Sequence, residues 1–362
     1  MSPSGKNRRV FYCLYLKVYL RPCMQKTIRF AIIGCGRIAQ RHAAEAVKHG
    51  VIHAVCDIDA EKATSLAKKY TALPYSSIDE LIAVEKNNLD IACICTPNGL
   101  HAAHSIQSLQ AGLHVLCEKP MSISSTDAIG MIEAAEKMKK RLLVVKQNRF
   151  NPPVSFVKQL LDENKLGRII NFQLNCFWNR PAAYYSDSWH GTKKLDGGIL
   201  YTQFSHFIDI LYWLLGDLDL VEGYRANSIH KDSIETEDNG TAILKMKNGS
   251  IGSLNYSVNT YNKNMEGSFL LLGEKGSVKI GGQYLNELAY FLVENETKPE
   301  LPKGNASNQY GYYQGSMSNH DKVYELFVKA VNDASYQLIN PYETMKTVEI
   351  IEKIYAASPI LR

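Results

Sequence analysis

From Ile28 onward the chain alternates short β-branched apolar runs with amphipathic segments. Residues 28–34 (IRFAIIG) are a short, β-branched and, apart from Arg29, apolar run, as suits a parallel strand covered on both faces. Residues 39–50 show helical spacing and end at Gly50 as a C-cap, and a second apolar run, 51–57, closes on Asp57. The same alternation predicts helices over 60–70, 77–86, 101–111 and 124–139, and strands over 90–95, 114–117 and 141–146. Repeated β–α units of this kind predict an α/β fold with a doubly wound parallel sheet. From Gly167 the period changes to two. Strands are predicted over 168–178, 220–230, 240–247, 250–258, 268–273, 277–280 and 288–293, with Asn248-Gly249 as a hairpin turn. Residues 295–319 are polar and read as a mobile loop before helices over 321–333 and 342–356. The expected domains are 27–148, doubly wound, and 149–362, α+β.

Composition agrees with two globular domains: 362 residues, 45% hydrophobic and 21% charged, exclude a disordered or collagen-like chain. The formal charge of +5 is concentrated at the N-terminus, in Lys6, Arg8, Arg9, Lys17, Arg21 and Lys26. The body is nearly neutral, without the clustered basic face of a nucleic-acid-binding protein. Residues 1–26 differ from the rest: a basic start precedes an apolar stretch, 10–20. Three readings stand, a targeting signal, a disordered or interfacial tail, and an upstream start with Met24 as the natural one. The last is favoured, because Lys17 interrupts the apolar stretch and no A-x-A-like cleavage site follows it. The stretch is too short to span a bilayer, and a cytoplasmic enzyme without membrane partners is expected. The eight cysteines are too sparse for a disulfide framework, so buried thiols are expected, and no metal site is.

The first β–α–β unit carries chemistry. Gly34-Cys35-Gly36-Arg37-Ile38-Ala39 joins strand to helix, and Asp57 ends the next strand. In this fingerprint Gly34 permits the tight turn and Gly36 lets backbone approach a pyrophosphate. Ala39 allows close packing, and the helix N-terminus faces the phosphates. A carboxylate at Asp57 suits the ribose hydroxyls of NAD and repels the 2′-phosphate of NADP, although Arg37 could pair with such a phosphate.

The segments GCGRIAQRH, CTPNGLHAAH and CEKPMS together resemble the Gfo/Idh/MocA oxidoreductases, from about Thr27 to the end of the chain. The resemblance implies a Rossmann domain followed by a domain with a large, mostly antiparallel open sheet. VKQNRFNPP, FWNRPAAYYSDSWHGT and DGGILYTQFSHFIDILYWLLGD resemble one subgroup more narrowly, the UDP-N-acetylglucosaminuronate 3-dehydrogenases of surface-polysaccharide (lipopolysaccharide O-antigen) synthesis. That subgroup implies bound NAD, a nucleotide-sugar substrate and a homo-oligomer, dimer or tetramer.

Oxidising a secondary alcohol requires a base for the hydroxyl proton. Lys119, at a strand end beside the expected nicotinamide, is one candidate, since burial there would lower its pKa toward working pH. His206 is the other. The family carries Asp-x-x-x-His here, but Thr202 stands at the aspartate position, which leaves the choice between Lys119 and His206 open. His206 and Asp209 share a helix face. Thr96, Pro97, Asn98, Leu100 and His101 are expected along the nicotinamide ribose, with Glu118 touching it. Gln147, Asn148 and Arg149 are expected to face the cleft. Arg180, Tyr184 and Tyr185, near Trp178 and Trp189, would take a uronate or pyrophosphate, a guanidinium being able to bond two oxygens at once. Thr202 and Gln203 are expected to reach substrate. Alternatives are a dehydrogenase of a free sugar, inositol or dihydrodiol, and a non-catalytic NAD-binding regulator.

Overall fold

The computed structural model describes residues 27–186, 188–309 and 314–361, so the expected leader, 1–26, lies outside them. Strands β1 (Ile28–Ile33), β2 (Gly50–Cys56), β3 (Leu73–Tyr75), β4 (Ile91–Ile94), β5 (His114–Cys117) and β6 (Leu142–Val144) form one sheet in the order β3-β2-β1-β4-β5-β6. All its pairings are parallel. Helices α1 (Arg37–His49), α2 (Ala60–Tyr70), α3 (Ile78–Glu85), α4 (His101–Gln110) and α5 (Ser125–Met138) cross between strands and cover both faces. The alternation within β1 is used on both sides. Phe30 and Ile32 enter one core with Ala39, Ala43 and Leu66, while Ala31 and Ile33 enter the other with Leu109 and Leu113. Strand order reverses between β1 and β4, so a crevice opens at their carboxyl ends.

Helix α6 (Pro152–Asp162) leads into β7 (Ile169–Phe177). Helices α7 (Ala182–Tyr185), α8 (Ile199–Thr202) and α9 (Ser205–Leu215) then precede β8 (Leu218–Ala226), β9 (Asn239–Met246), β10 (Ile251–Ser257), β11 (Glu266–Gly273), β12 (Gly276–Gly281) and β13 (Glu287–Val293). With β16 (Ile360–Leu361) these strands form a second sheet, β13-β12-β11-β7-β10-β9-β8-β16. It is antiparallel except where β7 meets β10 and β8 meets β16. Its inner face, including Phe172, Leu174, Leu244, Leu254, Phe269 and Leu271, packs beneath the helices. Its outer face carries Leu220, Tyr224, Ile243, Ile251, Tyr290 and Leu292 exposed.

Several elements differ from expectation: β3, α6, α7 and β16 were not anticipated. The stretch 200–215, which reads as one helix carrying His206 and Asp209, is broken at Gln203 and Phe204 into α8 and α9. Within 295–319, β14 (Ser307–Gln309) pairs with β15 (Gln314–Met317) instead of forming an irregular loop. Apart from Met317, which enters the core, this hairpin docks on the second domain through polar groups and hydrogen bonds, which hides it from hydrophobic patterning. Tyr284 Oη donates to Gln314 Oε1 at 2.8 Å, and Asn264 Nδ2 donates to the Gln314 carbonyl at 3.1 Å. After this hairpin, α10 (His320–Asn332) returns to the first sheet, where Val323, Tyr324 and Phe327 share a core with Phe30. Helix α11 (Pro341–Ala357) packs on α5 and α9.

Candidate active site

The crevice begins at the turn after β1. Gly34 has φ of 92°, and a Cβ there would lie 2.6 Å from the Cys95 carbonyl oxygen, so only glycine fits. Gly36 is the N-cap of α1 and makes no side-chain cap, whereas Asp59, Ser77 and Ser124 cap α2, α3 and α5 with their side chains. A Cβ on Gly36 would meet nothing within 4 Å. An uncapped helix N-terminus facing open space suits a pyrophosphate. At the end of β2 the Asp57 carboxylate is aimed at this loop, accepting from Cys35 N at 2.7 Å and Asp59 N at 2.9 Å. The residues present therefore fit a dinucleotide. Gly36→Val is expected to fold with wild-type thermal stability but to bind NAD at least about tenfold more weakly, as read by NADH fluorescence titration. Unchanged affinity would remove the pyrophosphate from this loop.

The loops after β4 and β5 meet the second domain. His101 sits between them, its ring nitrogens 2.8 Å from the Thr96 carbonyl and 2.6 Å from the Pro120 carbonyl. The Lys119–Pro120 peptide bond is cis. Lys119 Nζ donates to the Thr202 carbonyl at 2.7 Å. Asn98 Nδ2 donates to Thr202 Oγ1 at 2.7 Å and to the Asp196 carbonyl at 2.9 Å. Burial lowers the pKa of Lys119, against the pull of Glu118 and with the push of Arg180. Burial, then the Lys119 charge, holds His206 well below its ordinary value, so its ring is neutral at working pH. Burial raises Asp196 to about 6, despite its hydrogen bonds from Thr202, Gly191 and Gly198.

One cavity of about 680 Å³ runs from Gly36, Arg37 and Ile38 past Lys119 and His206 to Arg180 and Trp189. Arg180 is buried, its guanidinium 5.1 Å from the Trp178 ring and 5.4 Å from the Tyr184 ring. Around it, Gln147 Oε1, Gln203 Oε1 and Asn308 Oδ1 are buried with no partner among the described residues. Their nitrogens are anchored for Gln147 and Gln203, on Ser316 Oγ and Tyr184 Oη, both at 3.2 Å. These oxygens are acceptors positioned for donors that a ligand would bring.

The sequence profile of the oxidoreductase family with an NAD-binding Rossmann fold (GFO_IDH_MocA) matches residues 28–146, and that of its C-terminal domain (GFO_IDH_MocA_C3) matches 154–279. The WlbA dehydrogenase of Chromobacterium violaceum, solved with NADH and UDP-GlcNAcA, superposes with a TM-score of 0.82 at 34% identity, covering 94% of this chain and 96% of that one. The chain belongs to the Gfo/Idh/MocA oxidoreductase family. Its cofactor is NAD. The Bordetella pertussis WlbA dehydrogenase, solved with the same two ligands, gives 0.81 at 32% identity over 92% of this chain and 96% of that one. Glucose-6-phosphate 3-dehydrogenase of Bacillus subtilis is 30% identical over 202 residues, 55% of this chain and 57% of that protein.

Within this family frame most expected site residues line the cavity: Gly36, Arg37, Ile38, Thr96, Asn98, His101, Glu118, Lys119, Gln147, Arg180, Tyr184, Thr202, Gln203 and His206. Gly34 and Asp57 shape the loop from behind. Pro97, Leu100, Asn148, Arg149 and Tyr185 are not in the lining. Arg149 was expected to face the cleft, but Asp209 holds it by two hydrogen bonds of 2.8 Å, with Glu343 beyond. Asn148 is buried beside it, and Tyr185 turns toward His230, with ring centroids 5.1 Å apart. Glu118 lines the cavity, but both its carboxylate oxygens are in use. Its Oε1 lies 2.9 Å from His42 Nε2 and 3.0 Å from His320 Nε2, and its Oε2 accepts from Lys119 N at 3.0 Å. These bonds hold its pKa well below the carboxylate range although burial alone would raise it. The ligand atoms of His42, Glu118 and His320 cluster within 4.8 Å of one another, as the ligands of a cation would. Two ring nitrogens sharing one oxygen at these distances are instead the geometry of donated N–H bonds. Sequence reasoning missed His42, His190, Asp196, Asn308, Ser316 and His320. Of these, Asp196 alone carried a local signal, standing immediately before Gly197-Gly198.

Proposed function

We propose that this protein oxidises the C3 hydroxyl of a UDP-N-acetyl-amino-sugar uronate to a 3-keto sugar nucleotide, as a cytoplasmic step in surface-polysaccharide precursor synthesis. The observation that carries the reading is a single cavity holding Lys119 and His206 between an uncapped helix N-terminus and the buried cation of Arg180. NAD, when bound, supplies the hydride acceptor. Burial lowers the pKa of Lys119, which eases loss of its proton and suits its amine to take the hydroxyl proton, while the Thr202 carbonyl orients its nitrogen. Neutral His206 offers a hydrogen bond to the developing alkoxide. Arg180 suits a carboxylate or pyrophosphate, and the unpartnered oxygens of Gln147, Gln203 and Asn308 suit hydroxyl and amide donors. Similarity to two dehydrogenases crystallised with UDP-GlcNAcA supports the choice of substrate class.

Two measurements bear on this. Arg180→Lys should raise KM for the nucleotide sugar about tenfold with a smaller change in kcat, because the fork-shaped contact is made in ground and transition states alike. An unchanged KM would take the anionic group away from Arg180. The outer face of the second sheet, with Leu220, Tyr224, Ile243, Ile251, Tyr290 and Leu292, fits a second copy of this chain. Native mass spectrometry should show a dimer or tetramer carrying NAD(H), whereas a bare monomer would count against both readings.

A further inference from the structure

We infer that Asp196 is a positioning residue of the dehydrogenase: its buried carboxylate, acting through Thr202, fixes where the Lys119 nitrogen sits. The inference rests on the dehydrogenase reading but not on which sugar is the substrate. Asp196 is 1% exposed and does not line the cavity, so it acts through a neighbour. Three donors converge on its two oxygens. Gly191 N–H reaches Oδ2 at 2.6 Å, Gly198 N–H reaches Oδ1 at 3.3 Å, and the Thr202 hydroxyl makes a short bond to Oδ1. Only a carboxylate accepts from all three, since an amide would present a donor to donors.

The Thr202 hydroxyl is thereby fixed in sense. It accepts the Asn98 amide N–H at 2.7 Å, so its own proton goes to Asp196. Thr202 ends α8, a four-residue helix whose last carbonyls have no intrahelical partner. One of those carbonyls takes Lys119 Nζ. Asp196 thus ties the start of α8 at Gly198 and its end at Thr202, holding the acceptor that aims Lys119. Gly197 and Gly198, with φ of 85° and 120°, let the chain fold back far enough for one carboxylate to reach both. Around Asp196 stand the Lys119 charge, which favours the carboxylate, and Glu237, which opposes it, with the phenol of Tyr185 also within electrostatic reach. Burial places its titration at about 6, so the acceptor set should be intact above that pH and fail below it.

The test is Asp196→Asn, with Thr202→Val as the second variant because it leaves the carboxylate in place. Both should lower kcat about 10- to 100-fold with KM for NAD changed less than about twofold, and Asp196→Asn, whose side chain does not line the cavity, should leave KM for the sugar equally unmoved, the signature of lost positioning rather than lost binding. Asp196→Asn should also lose the acid limb near pH 6 that the wild-type kcat profile shows. In a crystal structure of NAD-bound Asp196→Asn, Lys119 Nζ should no longer contact the Thr202 carbonyl. That readout needs no substrate, so it decides the inference even if the nucleotide sugar proves wrong. A Lys119 that stays on Thr202, or a variant that keeps the wild-type kcat and acid limb, overturns it.

Discussion

Lys119→Met is expected to lower kcat by about a hundred- to ten-thousand-fold, the range contributed by a positioned acid–base group, while NAD affinity stays within about twofold. Methionine keeps the apolar stem in the cavity and removes only the nitrogen that bonds the Thr202 carbonyl. Rapid-mix measurement of NADH formation reads the first quantity and fluorescence titration the second. The pH profile separates the two candidate bases. Burial lowers the folded-state pKa of Lys119, so the amine required for oxidation accumulates as pH rises through that lowered value. Wild type should therefore gain rate with pH on that limb and Lys119→Met should lose the limb. If the variant keeps the limb at a reduced rate, His206 is the proton acceptor. A protein that only senses NAD would show neither change.

Asp209→Asn should cost about 3–5 kcal/mol of stability at neutral pH, the usual penalty for breaking a buried ion pair from one side. Its carboxylate accepts from Arg149 at 2.8 Å and lies 2.9 Å from Lys146 Nζ, and all three side chains are buried. Burial would raise the Asp209 pKa, but Arg149 and Lys146 together hold it well below the carboxylate range. A depressed folded-state pKa contributes stability above the unfolded value of about 3.9, and that contribution fades as pH falls below it. The gap between wild type and Asp209→Asn in urea unfolding should thus be full at pH 7 and shrink below about pH 4. Glu343→Gln, at the one-third-exposed outer end of the same network, should cost only about 0–1 kcal/mol. Equal costs for the two variants would mean that Asp209 is solvated rather than buried as a counter-ion.

The two predictions touch different layers of what the sequence makes legible. The doubly wound sheet could be read because β1 and β4 need apolar residues on both faces, a demand that writes itself into a continuous run. Gly34 and Gly36 could be read because one needs positive φ and the other open space. Lys119 was singled out by its strand end and by resemblance, and His206 by its helical stretch and by resemblance. Arg149 was misplaced for a physical reason, since a cation near a domain junction is equally suited to a ligand and to an internal carboxylate. Only the fold reveals that Asp209, sixty residues later, claims it. His320 and Asn308 were invisible for a related reason. His320 reaches Glu118 across two hundred residues, and Asn308 belongs to a polar hairpin with little hydrophobic period. Asp196 had a local mark in the glycines after it, but its role shows only once its bonds to Gly191, Gly198 and Thr202 are in place.

One comparison of substrates tests the C3-dehydrogenase reading most directly. NAD-loaded protein is given UDP-N-acetylglucosaminuronate, UDP-N-acetylglucosamine, glucose 6-phosphate and myo-inositol in parallel. NADH formation is followed by absorbance and each product by mass spectrometry. The prediction is NADH formation with the uronate, with a product lighter by two hydrogens, and little with the same nucleotide sugar lacking its carboxylate. Brisk oxidation of inositol or glucose 6-phosphate, with none of the uronate, would contradict it.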